Sequence, residues 1–493
     1  VKVLLILWVA LLTCVVGTPV LAVGPDDLPD IGSPAEAAIS MEDEYRYGMM
    51  VMRHLRDTAQ TIEDPETAQY IDDVGHRLSS GAQDGNRRFM FFVVKDRDIN
   101  AFALPGGFIG VNAGLILETH TESELAGVLA HEISHVTQRH IARSLLAQSK
   151  SSMVSTAAML AAILVGATTG AGDAAMAGIA AAQTLSLEQQ MSFSRANEIE
   201  ADRVGMGVLV QAGFDPNGMP AFFDTMGRRA GANESQIPAI VRSHPITSDR
   251  IAESKSRAIQ YPAMKVTDSL GFALMRERVR VLTTPAGENP VNYYKANVNS
   301  VQPATSVRLY GNAIALLAAG EPEQAIPLLK KLRDSDDRVM QYHTALGQAY
   351  SYSGDNEQAL AVFDQAMHLF PRNVPITVRY ADALVRANQP RRAHEVLLDL
   401  FNSVAPTPEQ ARQIALAANA AGDLSDAYHY MAEFHLMSGD LVLAASQLQM
   451  ALAVPKITEV QRARYRARLD EIRAAMPRKM RMQASDSSQR RPQ

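Results

Sequence analysis

His131-Glu132-Ile133-Ser134-His135 brings two imidazoles and a carboxylate together in one short stretch. Residues four apart lie on one face of a helix, so both rings can reach a single metal ion. Glu132 stands beside them, placed to take a proton from a water. That set supports zinc-assisted hydrolysis, provided a third ligand completes it and leaves a position open. One candidate is His140, nine residues after His131. The extended pattern that uses a third histidine also needs a glycine, and neither falls in place. At about 100° per residue His140 points away from the pair, which predicts a surface position. The stronger candidate is Glu198, in Asn197-Glu198-Ile199-Glu200-Ala201-Asp202. A second helix crossing the first can present Glu198 to the metal. Asp202, one turn on, can accept the outer N–H of a ligating histidine. Glu200 falls on another side and is expected to be a solvated charge.

Several elements must position these groups. Thr121-Glu122-Ser123-Glu124 has the form of a capping box and opens the helix that carries the motif. Phe89 to Val94 reads as a strand, and Asn100 to Val111 as two short strands broken at Pro105-Gly106-Gly107. Met41 to about Leu78 has a helical pattern. The Ala/Gly-rich stretch from Met153 to Ala182 is too interrupted to span a bilayer. It is expected to form a helical hairpin on the core or a cover over the site.

A chain of 493 residues exceeds one core, and 47% hydrophobic with 20% charged residues is a globular composition. The formal charge of −6 speaks against nucleic acid as a partner. Lys2, the apolar run Val3 to Val16 and Val20-Leu21-Ala22 read as a cleavable secretory signal over 1–22. Cys14, the only cysteine, lies inside it, and Leu11-Leu12-Thr13 before it does not suit lipidation. The remaining chain has no thiol, so any metal must be held by His and carboxylate.

The last third repeats. Gly320, Gly354, Asn388 and Gly422 are spaced by 34, as are Ala325, Ala359, Ala393 and Ala427. Thirty-four is the tetratricopeptide period. Gly347, Tyr350, Phe363, Ala366 and Pro371 fit the second unit's small, aromatic and turn positions. Gly439 and Ala444 follow half a period later, and a helix from Lys456 to Ala475 caps the array. The resulting division is a domain carrying the metal motif over 23–265, a helical linker over 266–305 and repeats over 306–455. A cap over 456–475 and a disordered basic tail over 476–493 complete it.

The ordered set Asn100-Ala101-Phe102, Pro105-Gly106-Gly107, HEISH, Asn197 to Asp202, then His244-Pro245 with Arg250 resembles the gluzincin family of HtpX and the CaaX prenyl proteases. The signal ahead and the repeats behind resemble that family's periplasmic branch. The fold implied is mainly α: an α+β zincin-type domain with a small sheet, then an all-α tetratricopeptide solenoid. By that resemblance His131, His135 and Glu198 bind one Zn2+ per chain, and Glu132 activates the water. Asp202 and Arg250 support them. His244 stabilises the oxyanion or occupies the fourth zinc position. Gly107, Phe108, Ile109, Gly110 and Val111 offer an edge strand for an extended substrate. The implied activity is a zinc metalloendopeptidase of the Gram-negative periplasm, peripheral to the outer membrane at most. Its substrates would be unfolded or stalled outer-membrane β-barrel proteins, and its repeats would dock the β-barrel assembly machinery. The rival reading is a chaperone or scaffold whose proteolysis is latent or vestigial.

Overall fold

The computed structural model describes residues 39–82, 88–147, 193–232, 237–264, 266–296 and 305–476. The stretch read as a secretory signal (1–22), the Ala/Gly-rich stretch (153–182) and the tail beyond Met476 lie outside the described residues, whereas Met476, expected to begin the tail, is buried in the last core. The helical pattern after Met41 forms two helices, α1 (Met41–Asp57) and α2 (Pro65–Ser79). Asp64 caps α2 by accepting the Thr67 N–H, and Pro65 occupies the first turn, where its missing N–H costs nothing.

Three strands follow: β1 (Met90–Val94), β2 (Ala101–Leu104) and β3 (Phe108–Asn112). Their order in the sheet is β1-β3-β2, with β3 parallel to β1 and antiparallel to β2. Gly106 and Gly107 turn the β2–β3 hairpin with φ of 81° and 89°, a region open to glycine. Both sheet faces are covered. Phe91, Val93, Ala101, Ala103, Ile109 and Val111 join the main core, whereas Phe92, Val94, Leu104 and Phe108 pack with Met49 and Met52 of α1. Alternation along each strand therefore sends apolar groups both ways, which explains the nearly continuous apolar runs.

Next come α3 (Ala113–Glu118), α4 (Glu122–Thr137) and α5 (His140–Ala147), then α6 (Arg195–Gln211), α7 (Gly218–Ala232), α8 (Ala239–Ser243) and α9 (Ser248–Ala258). The zinc motif sits on α4, which is buried nearly all round between the sheet, α2, α6 and α7. Thr121 caps α4 by accepting the Glu124 N–H at 3.1 Å, and Glu124 in return accepts the His120 N–H at 2.7 Å. The box is thus closed one residue earlier than the capping-box pattern implies.

Helix α10 (Leu270–Leu282) falls within the stretch expected to be a linker, yet it belongs to two cores. Phe272, Met275 and Val279 pack with the sheet domain, and Leu274 and Val281 pack with Tyr310 and Ile314 of the repeats. After α11 (Val291–Ala296), the array runs α12 (Ser306–Ala318), α13 (Pro322–Ser335), α14 (Met340–Tyr352), α15 (Asn356–Leu369), α16 (Val374–Arg386), α17 (Pro390–Phe401), α18 (Pro408–Ala421) and α19 (Leu424–Met437). Helix α20 (Leu441–Ala453) and the cap α21 (Glu459–Ala475) close it. Gly320, Gly354, Asn388 and Gly422 all take positive φ (76°, 85°, 58° and 81°) at the turn inside each helix pair. The 34-residue series therefore marks left-handed turn positions. Gly347 shows why small residues recur: a Cβ there would lie 2.5 Å from the Phe363 ring.

The first helices of successive pairs pack side by side. On that face Arg379 of α16 meets the start of α2, donating to Asp64 at 2.6 Å and Glu66 at 2.8 Å. Arg278 of α10 donates to both Asp64 oxygens at 2.7 Å and lies 3.1 Å from Glu66. Two carboxylates and two guanidinium groups thus form a buried cluster between the sheet domain and the repeats. Asp64 is held far below the usual carboxylate range: burial opposes this, and Arg278 and Arg379 outweigh it. Among the described residues no helix is long and apolar enough to cross a membrane.

Candidate metal centre

Two helices build the site by crossing closely. On α6 the buried positions Glu198, Ala201, Asp202 and Gly205 form one stripe facing α4. At Gly205 a Cβ would stand 3.0 Å from the Ala130 carbonyl oxygen and 3.1 Å from the His131 nitrogen. Its absence lets α6 approach far enough to bring Glu198 to the histidines. His244 follows α8, anchored by its N–H to Ile240 O at 2.8 Å. Pro245 then holds the chain out of helix until Thr247 caps α9, which carries Arg250.

His131 Nε2 and His135 Nε2 lie 3.0 Å apart, and His244 Nδ1 is 3.3 Å from the first of these. Glu198 Oε1 lies 2.9 Å from His244 Nδ1 and 3.4 Å from His135 Nε2. Donors bound tetrahedrally at zinc bond lengths stand about 3.3 Å apart, so three nitrogens and a carboxylate converge at the spacing zinc requires. Behind them, Asp202 Oδ1 is 2.9 Å from His131 Nδ1. Arg250 clamps Asp202 with two N–H bonds of 2.7 and 2.8 Å, and its Nη1 lies 2.8 Å from Glu198 Oε2. All of these side chains are buried.

The electrostatics call for positive charge at the convergence point. Burial works against an imidazolium at His131, yet Asp202 and Glu198 outweigh it and hold its pKa up at about 10. Burial would also raise Glu198, but His244, His131 and His135 hold it well below the carboxylate range. His135 is pushed well below its ordinary value by burial, reinforced by charge at His131 and His244. Glu132 is fully buried, 3.6 Å from His244 Nε2, and neither oxygen has a hydrogen bond of normal geometry. Burial raises its pKa against the pull of His244 and His131, as suits a group that must accept a proton and release it. The donor set and the buried negative charge of Glu198 and Asp202 fit a zinc ion bound here.

Three expectations need correction. Gly107 to Val111 is not an edge: β3 is the central strand, hydrogen-bonded on both sides. The edge next to the motif is β2, and no further strand among the described residues pairs with its outer side. Ala103 of β2 reaches Glu132 through its backbone. His140 is not on the surface either. Helix α4 ends at Thr137 and Arg139 takes φ of 52°, so His140 swings back beneath His135 and is completely buried. Glu200 accordingly pairs with His140 and Arg143 instead of standing free. The sequence reading also passed over Phe193, whose ring centroid lies 3.9 Å from that of His135, and Phe223, beneath the Arg250 guanidinium at 5.0 Å. Neither carries a periodic or spacing signal.

Residues 65–258 match Peptidase family M48, and residues 352–419 match the tetratricopeptide repeat. The chain belongs to peptidase family M48 as a zinc metalloprotease with a C-terminal tetratricopeptide array. The Beta-barrel assembly-enhancing protease of Escherichia coli (strain K12) is 32% identical over 462 residues, covering 92% of this chain and 93% of that protein. Its counterpart of the same name from Yersinia pestis is 32% identical over 463 residues, covering 91% and 92%. The Mitochondrial metalloendopeptidase OMA1 of Schizosaccharomyces pombe is 30% identical over 185 residues, 38% of this chain and 51% of its own length. That shorter similarity is what a shared protease domain without the repeats would give.

Proposed function

We propose that this zinc metalloprotease is a periplasmic endopeptidase that cuts unfolded or stalled outer-membrane β-barrel proteins. His131, His135 and Glu198 hold the zinc, and Glu132 is the general base. The observation that carries the reading is the convergence of those three donors and His244 on one buried point, with the buried Glu132 carboxylate beside it. Zinc bound there supplies the Lewis acidity that polarises a peptide carbonyl and lowers the pKa of a water.

The chain's own groups do the rest. Glu132 takes the proton from the attacking water and passes it to the departing amine. Asp202, clamped by Arg250, fixes the tautomer and orientation of His131. Among the described residues no strand pairs with the outer edge of β2, so an extended substrate can add there as a further strand, meeting Glu132 where the Ala103 backbone now does. His244 Nδ1, 3.3 Å from His131 Nε2 and 2.9 Å from Glu198 Oε1, would offer the ion a further donor and so would hold the resting site closed to substrate.

The names of the full-length relatives support the β-barrel substrates and the assembly machinery as docking partner. The signal-like first residues and a chain without cysteine beyond Cys14 support the periplasm. Because the Arg379 face of the array is engaged by α2, docking falls to the remaining repeat surface. Glu132→Gln tests the reading. Zinc should stay bound while cleavage of an unfolded barrel substrate falls by about 10²–10⁴-fold. Cleavage at the wild-type rate would refute it.

A further inference from the structure

We propose that His140 is a positioning residue that holds His135 in its metal-binding orientation, at the centre of a relay running His135–His140–Glu200–Arg143. The inference rests on His135 being a zinc ligand through Nε2. A ligand histidine that gives its Nε2 lone pair to a metal carries its proton on Nδ1, and that proton needs an acceptor. The atom facing His135 Nδ1 is His140 Nδ1, 2.9 Å away. His140 then carries its own proton on Nε2, which lies 3.2 Å from Glu200 Oε2. Glu200 in turn accepts from Arg143 Nη1 at 2.8 Å. With both rings neutral, only one direction of hydrogen bonding satisfies every member, and it is the one that leaves His135 Nε2 free to bind.

Two further features separate this arrangement from an ordinary core histidine. His140 reaches its place through the left-handed backbone of Arg139, a conformation costly for a residue with a Cβ. That turn is held by a buried contact: Arg139 donates to Glu44 at 2.9 Å and to the Ile39 carbonyl at 2.8 Å. The two ligand histidines are also backed differently, His131 by the Asp202 carboxylate and His135 by a neutral ring. A divalent cation and Arg250 already balance Glu198, Asp202 and Glu132. A carboxylate in the place of His140 would leave the buried centre with excess negative charge.

The test compares two variants of the full chain. His140→Leu removes the acceptor at similar volume. His140→Asn keeps one, since the asparagine Oδ1 stands where Nδ1 stood. Zinc affinity is read by competition with a chromophoric chelator, alongside near-ultraviolet circular dichroism and thermal unfolding of the metal-free proteins. H140L should weaken zinc by about 10–100-fold, and H140N should stay within a few-fold of wild type. Equal losses in the two variants would reduce His140 to packing, and wild-type affinity in H140L would overturn the relay outright. If H140L does not fold, Glu200→Leu at the half-exposed end of the relay decides instead. It should weaken zinc several-fold, and no change would overturn the proposal. A wild-type chain that binds no zinc would refute the reading beneath it, a result distinct from any of these.

Discussion

Replacing Arg379 by methionine should destabilise the whole molecule, although the residue lies far from the metal centre. Arg379 is 14% exposed and its partners Asp64 and Glu66 are 7% and 2% exposed, so the pairing is poorly screened. Each close pair is worth about 4 kcal/mol at an effective dielectric near 20, before the cost of drying the charges. In the variant, Arg278 alone faces two carboxylates, and one buried negative charge has no partner. Breaking a buried pair in this way costs about 3–5 kcal/mol. The assay is guanidinium unfolding of the zinc-loaded chain, followed by near- and far-ultraviolet circular dichroism. Adding Glu66→Met should restore most of the loss, because Arg278 then matches Asp64 one to one. A loss in R379M below about 0.5 kcal/mol, the scale of an ordinary surface substitution, would refute this account. So would a double variant no more stable than the single one. The cluster also sets an acid limit. Asp64 has its folded pKa depressed, so its contribution is full above the unfolded carboxylate value and is lost as pH falls toward the folded one.

Gly205→Ala gains helix propensity of about 1 kcal/mol but must push α6 off the Ala130 backbone. Weaker zinc binding at nearly unchanged stability is expected, and chelator competition will reveal it; unchanged affinity would show that the helices can give way. His429, packed against the Tyr465 ring at 4.9 Å, has its pKa pushed down to about 3 by burial, with Arg464 and Arg468 adding to it. Since the unfolded imidazole titrates near 6.5, stability is full above that pH and is lost as pH falls toward 3, by at most about 5 kcal/mol. His429→Phe should therefore lower the acid-unfolding midpoint of the last repeats, measured by circular dichroism across that window. Chelating the metal should lower the melting temperature: zinc at a thousand times its dissociation constant contributes about 4 kcal/mol. A melting curve indifferent to chelator and to added zinc would count against a resident metal.

The parts of the site that the sequence revealed are those governed by local spacing. The four-residue steps from His131 to His135 and from Glu198 to Asp202 put side chains on one helix face wherever the helices go. The 34-residue series worked for the same reason, since each member fills an equivalent turn. What escaped depends on distant or irregular backbone. Whether β3 or β2 is the edge depends on β1, a strand upstream that crosses over to pair in parallel. His140 was misplaced because extrapolating about 100° per residue assumes an unbroken helix. The break falls at Gln138-Arg139, which carries neither glycine nor proline to announce it. The Asp64–Arg379 contact joins residues 315 positions apart, beyond any local pattern.

Helix α10 bears on how such proteins can diverge. A repeat array joined by a free tether can be exchanged for another without disturbing its neighbour. Here the connecting helix fills gaps in two interiors at once, so a foreign array would have to bring its own α10 together with a match for Asp64 and Glu66. Recombination at this junction is therefore costly, and new docking preferences should arise by substitution on the exposed repeat surface. In this chain the two interiors share one helix, and neither closes without it.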